Sequence, residues 1–418
     1  MAVAWVHEWD EHAGSPGKYV VPHEPQVLVV NCGSSSLKLA CIEPRSGRTL
    51  EHGLAERLGS PEATVTLELA SGSRREGIAE LDHRSALQHM LAQVQTQQLV
   101  AFGHRVVHGG EAFRESVRVD SGALAVLDAL SSLAPLHNPK NVLGIRESMR
   151  QFPELPHVAV FDTAFHQSMP AHAYLYAIPY SLYEQHRVRR YGFHGSSHRY
   201  VAARAAELLD KPLDALQVIS AHLGNGCSAC AVRGGKSVDT TMGLSPLEGL
   251  VMGTRSGDVD PNLHAFLAEH TGSTLEEIMH LLNHQSGLLG LSGVSNDMRH
   301  LLELEAQGHA RSRLAVQVFC YRLAKAILGL CASLERLDAL IFTGGIGENA
   351  ARVRELTLLH LSLLGAGVDA RLNAEHGRSS GGRITRSESR LLALVVPTHE
   401  ELVIAREALS QSNLQMES

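Results

Sequence analysis

The stretch Val27–Lys38, VLVVNCGSSSLK, constrains this chain most. A strand buried on both faces does not alternate apolar with polar residues, and Val27-Leu28-Val29-Val30 has that continuous character. The run stops at Asn31-Cys32-Gly33-Ser34-Ser35-Ser36, and Leu37 to Ile42 is mostly apolar again. Glycine among short hydroxyl residues signals a turn. The segment therefore predicts a hairpin whose tip consists of small donors, with Lys38 just beyond. Such a tip lets backbone N–H groups approach an anion without steric cost, and the lysine adds a point charge. An ordinary serine-rich turn reads the same way in isolation.

The design recurs. Val218 to Leu223, then Gly224-Asn225-Gly226, then Cys227 to Val232 form a second strand, glycine turn and strand. Two hairpins with donor-rich tips predict a duplicated domain with a cleft between the copies. Cys227 and Cys230 form a CxxC without a second metal-binding pair, so they read as residues of a buried strand. Gly234-Gly-Lys-Ser237 resembles the end of a phosphate-binding loop. Residue 230, where its first glycine belongs, is a cysteine, and the motif is rejected.

Other strands end in chemically useful residues. The segment Val100–Gly110 reads as a short strand stopping at a double glycine, with Arg105 near its end, suited to bidentate contact with a carboxylate or phosphate. Val158–Phe161 ends at Asp162, a position where α/β proteins place working carboxylates. Capping of the following turn is its bland alternative. His194 precedes a helix predicted over 199–209, and Arg189 and Arg190 are expected to converge on it with that helix N-terminus. The loop Asp239–Asp258 carries Arg255, and the glycine-punctuated segment 286–299 reads as another loop. Arg48–Leu69 predicts antiparallel strands, Arg84–Val94 and Val142–Met149 helices, and Arg313–Cys331 a buried helix in a core or dimer contact. Leu337–Phe342 reads as a strand before Gly345-x-Gly347-x-x-Ala350, a weak dinucleotide pattern with Asp369 beyond it.

Composition excludes some functions. At 418 residues two or three domains are expected. A net charge of −7 leaves no basic excess for nucleic acid. No apolar run reaches the ~18 residues of a membrane span. The first 25 residues lack the apolar core of a signal peptide and read as an extension. With six cysteines and no disulfide pattern, a reducing cytoplasm is expected.

Taken in order, NCGSSSLK, GHRVVHGG, LHNPKN, FDTAFH, GFHGSSH, HLGNG, GLSPLEGLVMGTRSGD, SNDMR, FTGGIGEN and PTHEEL make the chain resemble the acetate kinases. Their superfamily also holds sugar kinases, Hsp70 and actin. The resemblance runs from about Val27 to Glu407. It implies an α/β fold of two duplicated ribonuclease-H-like (actin-like ATPase) domains, with mixed sheets flanked by helices and a cleft between them. Its boundaries would be 26–165 plus 397–418 for one domain and 166–396 for the other. It further implies that Asn31 and Glu400 hold Mg²⁺ (or Mn²⁺), and that Lys38, Ser34 and Ser36 face ATP phosphate. Arg105 and Arg255 would clamp carboxylate and phosphate, Asp162 act as catalytic acid, and His194 donate to the transition state. Nucleotide contacts would come from His222, Leu223, Gly224, Asn225 and Gly226, from Asp297, Met298 and Arg299, and from Gly344, Gly345, Ile346, Gly347 and Glu348. Val107, Leu136, Phe193 and Pro246 would line the pocket for the acetate methyl. His399 stands where the family has Asn, and Ser196 where it has Thr.

The function so implied is reversible, direct transfer of the ATP γ-phosphoryl to acetate, giving acetyl phosphate and ADP, by a homodimer. A propionate kinase is the nearest alternative, since one methylene shifts preference by only about 1–3 kcal/mol. A non-catalytic ATP switch and a dinucleotide oxidoreductase are alternatives of other classes.

Overall fold

The computed structural model describes residues 24–412 except Leu136. Leu136, expected in the acetate pocket, lies outside the described residues, as does nearly all of the N-terminal extension.

The opening hairpin forms as expected. Strand β1 (Gln26–Cys32) pairs antiparallel with β2 (Ser36–Glu43), placing Asn31 opposite Lys38 and Cys32 opposite Leu37. β1 is buried on both faces. Leu28, Val30 and Cys32 enter one apolar cluster with Leu87 and Met90, and Val27 and Val29 enter another with Ile404 and Ala408. Each fully buried aliphatic side chain of this kind contributes roughly 1.5–3 kcal/mol.

The first sheet continues through β3 (Arg48–Glu56), β4 (Thr64–Leu69), β5 (Gly72–Gly77), β6 (Leu99–Val106), β7 (Val117–Arg118) and β8 (His157–Phe161). Its order is β5-β4-β3-β2-β1-β6-β8-β7, with β6 parallel to both β1 and β8. The second contains β9 (Gln217–Leu223), β10 (Cys227–Arg233), β11 (Lys236–Thr240), β12 (Ala339–Thr343) and β13 (Ala393–Val395), in the order β11-β10-β9-β12-β13. Here β12 is parallel to β9 and β13. The two sheets therefore share one plan: three antiparallel strands, then two parallel additions beside the first. This is the duplication that the repeated hairpins suggested.

The C-terminal helix Glu400–Gln411 returns to the first sheet. Gly103 of β6 admits it, because a Cβ there would lie 2.6 Å from Ile404 Cγ2. The helix Ala310–Leu330 covers the second sheet with Val316, Phe319, Leu323 and Ile327, while Leu314 and Tyr321 stay exposed. By length and composition Ala310–Ser333 could cross a membrane, yet one of its faces is core.

Several expectations needed adjustment. The helix after His194 begins at Gly195 rather than 199. The expected loop 286–299 holds a short helix, Gly287–Ser292, and ends at Asp297, which caps the helix Met298–Ala306. Residues 344–349 are already helical. β5 was not foreseen because GSRREG is a polar, mostly exposed edge without alternation.

Candidate active site

The site forms where β1, β6, β8 and β9 reach their C-terminal ends. Arg105 on β6 is opposite Val160 of β8, two residues before Asp162. Arg105 Nε donates to Asp162 Oδ1 at 3.0 Å and Nη2 to Oδ2 at 2.7 Å. Burial raises the Asp162 carboxyl from its usual range, and Arg105 partly offsets this. For Arg105 the balance reverses: burial lowers its pKa, and Asp162 more than restores it. Asp162 does not cap the following turn, whose first residues have no side-chain cap.

Two asparagines of LHNPKN, unassigned from sequence, splint this corner. Asn141 accepts from Val107 N at 3.0 Å and donates to Cys32 O at 2.7 Å, tying the end of β6 to the first hairpin. Asn138 accepts from His108 N and donates to His108 O. Their neighbour His137 was also missed. Burial, with Arg255 and Arg105 close by, pushes it down to about 4. A histidine beside Asn-Pro in a turn was the available signal.

His194 adopts a left-handed backbone (φ 58°) as the residue before the helix Gly195–Leu208. Its shape is enforced by Gly195, whose N–H donates to Asp162 O at 2.9 Å and where a Cβ would come within 2.3 Å of that oxygen. His194 Nδ1 bonds Ser228 Oγ at 2.9 Å, and His222 Nδ1 bonds Ser197 Oγ at 2.8 Å. The two rings lie 4.4 Å apart. Burial first, then His222, Arg105, His198 and Arg255, hold His194 well below the usual imidazole range. Arg255 donates to Pro246 O at 3.0 Å. Burial lowers its pKa; Cys227 offsets this and Arg105 adds to it.

Gly226 shows how close these groups come. A Cβ there would lie 3.5 Å from Arg255 Nη1 and 3.5 Å from His194 Nε2. Two side-chain nitrogens thus face one small space beside a bare backbone, and Arg255 Nη1 also contacts Pro246 O and Met252 Sδ. Val107 and Phe193 are buried in the same apolar cluster.

Other expected residues border this centre. Ser34 and Lys38 are exposed at the first hairpin tip, with Ser36 half-buried. Gly344 (φ 75°) packs against the Leu223 backbone. Glu348 accepts from Gly344 N at 3.0 Å and Thr398 N at 3.1 Å, bracing Gly344–Asn349 against the approach to Glu400. The fully buried Arg354 donates to the carbonyls of Gly347 and Glu348 from behind. The Asn225 carbonyl accepts from Gly253 N, and its side chain accepts from Asn296. Asp297 and Arg299 pair with each other in solvent, and the Met298 side chain lies in the core. Arg189 and Arg190 do not meet His194: Arg189 pairs with Glu111 at 2.8 Å, and Arg190 pairs with Glu248 and donates to Thr240 and Thr241 carbonyls. Asp369 caps the helix Ala370–Ala374, and β12 does not open a dinucleotide-type sheet.

A divalent ion fits the donor set. Asn31 and Glu400 are half-buried oxygen donors, and Glu400 is near enough to act electrostatically on Asp162, Arg105 and His222. No group of three or more His, Cys, Asp or Glu side chains suited to a metal exists among the described residues. An ion with so few protein ligands must rely on water and substrate phosphate, which is the habit of Mg²⁺.

The two sheets of one plan, flanked by helices, define a two-domain, actin-like α/β protein. The acetokinase family model matches residues 26–406. An acetate kinase of Ectopseudomonas mendocina is 56% identical over 389 residues, covering 92% of this chain and 98% of that one. An acetate kinase of Deinococcus radiodurans is 53% identical, covering 91% and 96%. Among solved structures, a propionate kinase from Francisella tularensis matches with a TM-score of 0.87 at 43% identity, over 92% of this chain and 99% of that one. Porphyromonas gingivalis acetate kinase matches with a TM-score of 0.85 at 40% identity, over 93% and 99%. The chain belongs to the acetokinase family.

Proposed function

We propose that this protein is an acetate kinase, transferring the γ-phosphoryl group of ATP reversibly and directly to acetate to give acetyl phosphate and ADP. The observation that carries the reading is the convergence of Arg255 Nη1 and His194 Nε2 on the space beside Gly226, with the Arg105–Asp162 pair close by. Phosphoryl transfer demands positioning and positive charge more than covalent help. Acetate is already a nucleophile and needs no base. Asp162 fixes Arg105 through Nε and one Nη2 hydrogen, leaving the Nη1 hydrogens for a carboxylate or phosphate. In this reading Asp162, expected as the catalytic acid, also orients the Arg105 guanidinium. Arg105 and Arg255 repel each other, and an anionic phosphoryl between them relieves that repulsion. His194, kept neutral by burial, serves as a hydrogen-bond donor.

Asn31 and Glu400 would hold Mg²⁺, which supplies charge neutralisation at the phosphates. The stretches His222–Gly226 and Gly344–Glu348 face the nucleotide in this reading, and the domains divide at 26–165 plus 397–418 and 166–396. The exposed Leu314 and Tyr321 on the long helix support a homodimer. Val107 and Phe193 beside the donors support a short acyl group, with acetate ahead of propionate. Trapping the acyl phosphate with hydroxylamine tests this, using ATP, Mg²⁺ and acetate, propionate or butyrate in parallel. The highest kcat/KM is expected with acetate. Higher activity on propionate would move the substrate, and ATP binding without any acyl phosphate would refute the reading.

A further inference from the structure

Behind His194 runs a buried chain of alternating hydroxyls and imidazoles. His194 Nδ1 bonds Ser228 Oγ at 2.9 Å; the same oxygen bonds His198 Nε2 at 2.8 Å; His198 Nδ1 bonds Ser220 Oγ at 2.7 Å. Ser220, Ser228 and His198 have no exposed surface. The chain spans β9, β10 and the first turn of the helix Gly195–Leu208, so all of its members sit on rigid elements.

Hydrogen-bond counting gives this chain a direction. Among the described residues, the Ser220 hydroxyl has His198 Nδ1 as its single partner. Were Ser220 to accept there, its own proton would be buried without an acceptor, at a cost of about 1–3 kcal/mol. Ser220 therefore donates to His198 Nδ1. A neutral imidazole carries one N–H, so His198 donates through Nε2 to Ser228. Ser228 must then give its proton to His194 Nδ1. That leaves the His194 proton on Nε2, the atom facing the space beside Gly226. The same count applies nearby: among the described residues buried Ser197 Oγ bonds only His222 Nδ1, which leaves His222 protonated on Nε2 as well.

We propose that Ser220, His198 and Ser228 are positioning residues that fix the Nε2–H tautomer of His194 and aim it as a donor at the transferred phosphoryl, with Ser197 doing the same for His222. The proposal rests on the phosphoryl-transfer reading for its purpose but not for its geometry. Burial, which holds His194 and His198 well below their ordinary pKa, keeps both rings neutral, the form in which a tautomer choice exists. In the opposite tautomer His194 would present a lone pair to an incoming phosphate, and repulsion would replace a hydrogen bond.

The test is long-range ¹H–¹⁵N NMR of the full chain labelled in histidine nitrogen, with His194 assigned from its absence in His194→Gln. In the wild type, His194 is expected to show a protonated Nε2 and an unprotonated Nδ1. A protonated Nδ1 would overturn the proposal, and this arm needs no variant to fold. Ser228→Ala should turn the His194 signals into a mixture of tautomers. It should also lower kcat about tenfold or more with the KM values for ATP and acetate within about twofold, as loss of a partner behind a working histidine or donor does elsewhere. Ser228→Thr, which keeps the hydroxyl, should recover most of the loss. Wild-type kcat and tautomer in Ser228→Ala would overturn the proposal. If the wild type forms no acyl phosphate yet shows the Nε2–H tautomer, the relay stands and the reading of function falls.

Discussion

Arg105 and Asp162 join β6 to the end of its neighbour β8 through two parallel hydrogen bonds, 3.0 and 2.7 Å long, with the carboxylate almost fully buried. Removing one member of such a pair leaves the other as an uncompensated charge, costing about 3–5 kcal/mol where burial is complete. Arg105 retains some solvent contact, so Asp162→Ala should destabilise by about 3 kcal/mol in urea unfolding and lose most activity. A change below about 1 kcal/mol would show that the pair does not hold this corner together.

Gly226 offers a cleaner separation of fold from chemistry. Its would-be Cβ meets only ordinary contact distances, 3.5 Å to Arg255 and His194, and its backbone is not left-handed. Gly226→Ala should therefore fold with a Tm within a few degrees of the wild type. Its methyl would occupy the space between the two donors, and kcat should fall by about 10² or more, the loss associated with one transition-state donor. Full activity in a well-folded Gly226→Ala would place the reacting group elsewhere.

Asn141 spans two backbone groups, Val107 N and Cys32 O, which no other side chain among the described residues serves. Asn141→Ala should cost about 1–3 kcal/mol for each buried group left unpaired. Because those groups lie at the two hairpin and strand ends around the site, the KM for acetate should rise as well. A variant with reduced stability and unchanged KM would make Asn141 a structural splint alone.

Acid should unfold this protein through its buried histidines. Burial pushes His108 and His166 down to about 4 from an ordinary 6.5. Above pH 6.5 both are neutral whether folded or not, and they contribute no slope. Below it the unfolded chain takes up protons first, so stability falls between pH 6.5 and 4, by up to about 3 kcal/mol per residue. His166 bonds Ser237 and the Phe193 carbonyl. His166→Asn should flatten the stability-versus-pH curve in that window, measured by urea melts; an unchanged slope would contradict the assignment.

Much of this was legible in the residues because the signals were local. The Val27–Ile42 hairpin, its echo at Val218–Val232, and the strand ends at Arg105 and Asp162 depend on patterns within a few residues. What stayed hidden depended on distant partners. Arg189 and Arg190 sit beside His194 in sequence, but Glu111 and Glu248 draw them away, and nothing local records those partners. Arg354, His198 and Ser228 look like ordinary helix or strand residues until the second sheet places them behind the site. Met298 shares its motif with half-buried Asp297 and exposed Arg299, yet the helix they begin turns it inward. The short helix Gly287–Ser292 was masked by three glycines that usually mark a loop.

The central claim, direct transfer between two substrates held by Arg105, Arg255 and His194, is tested most directly by stereochemistry. ATP made chiral at the γ-phosphorus would be reacted with acetate, and the configuration of the acetyl phosphate determined. A single in-line displacement inverts the phosphorus centre, and inversion is the result predicted. Retention would require two displacements through a phosphorylated protein group, and would contradict the account.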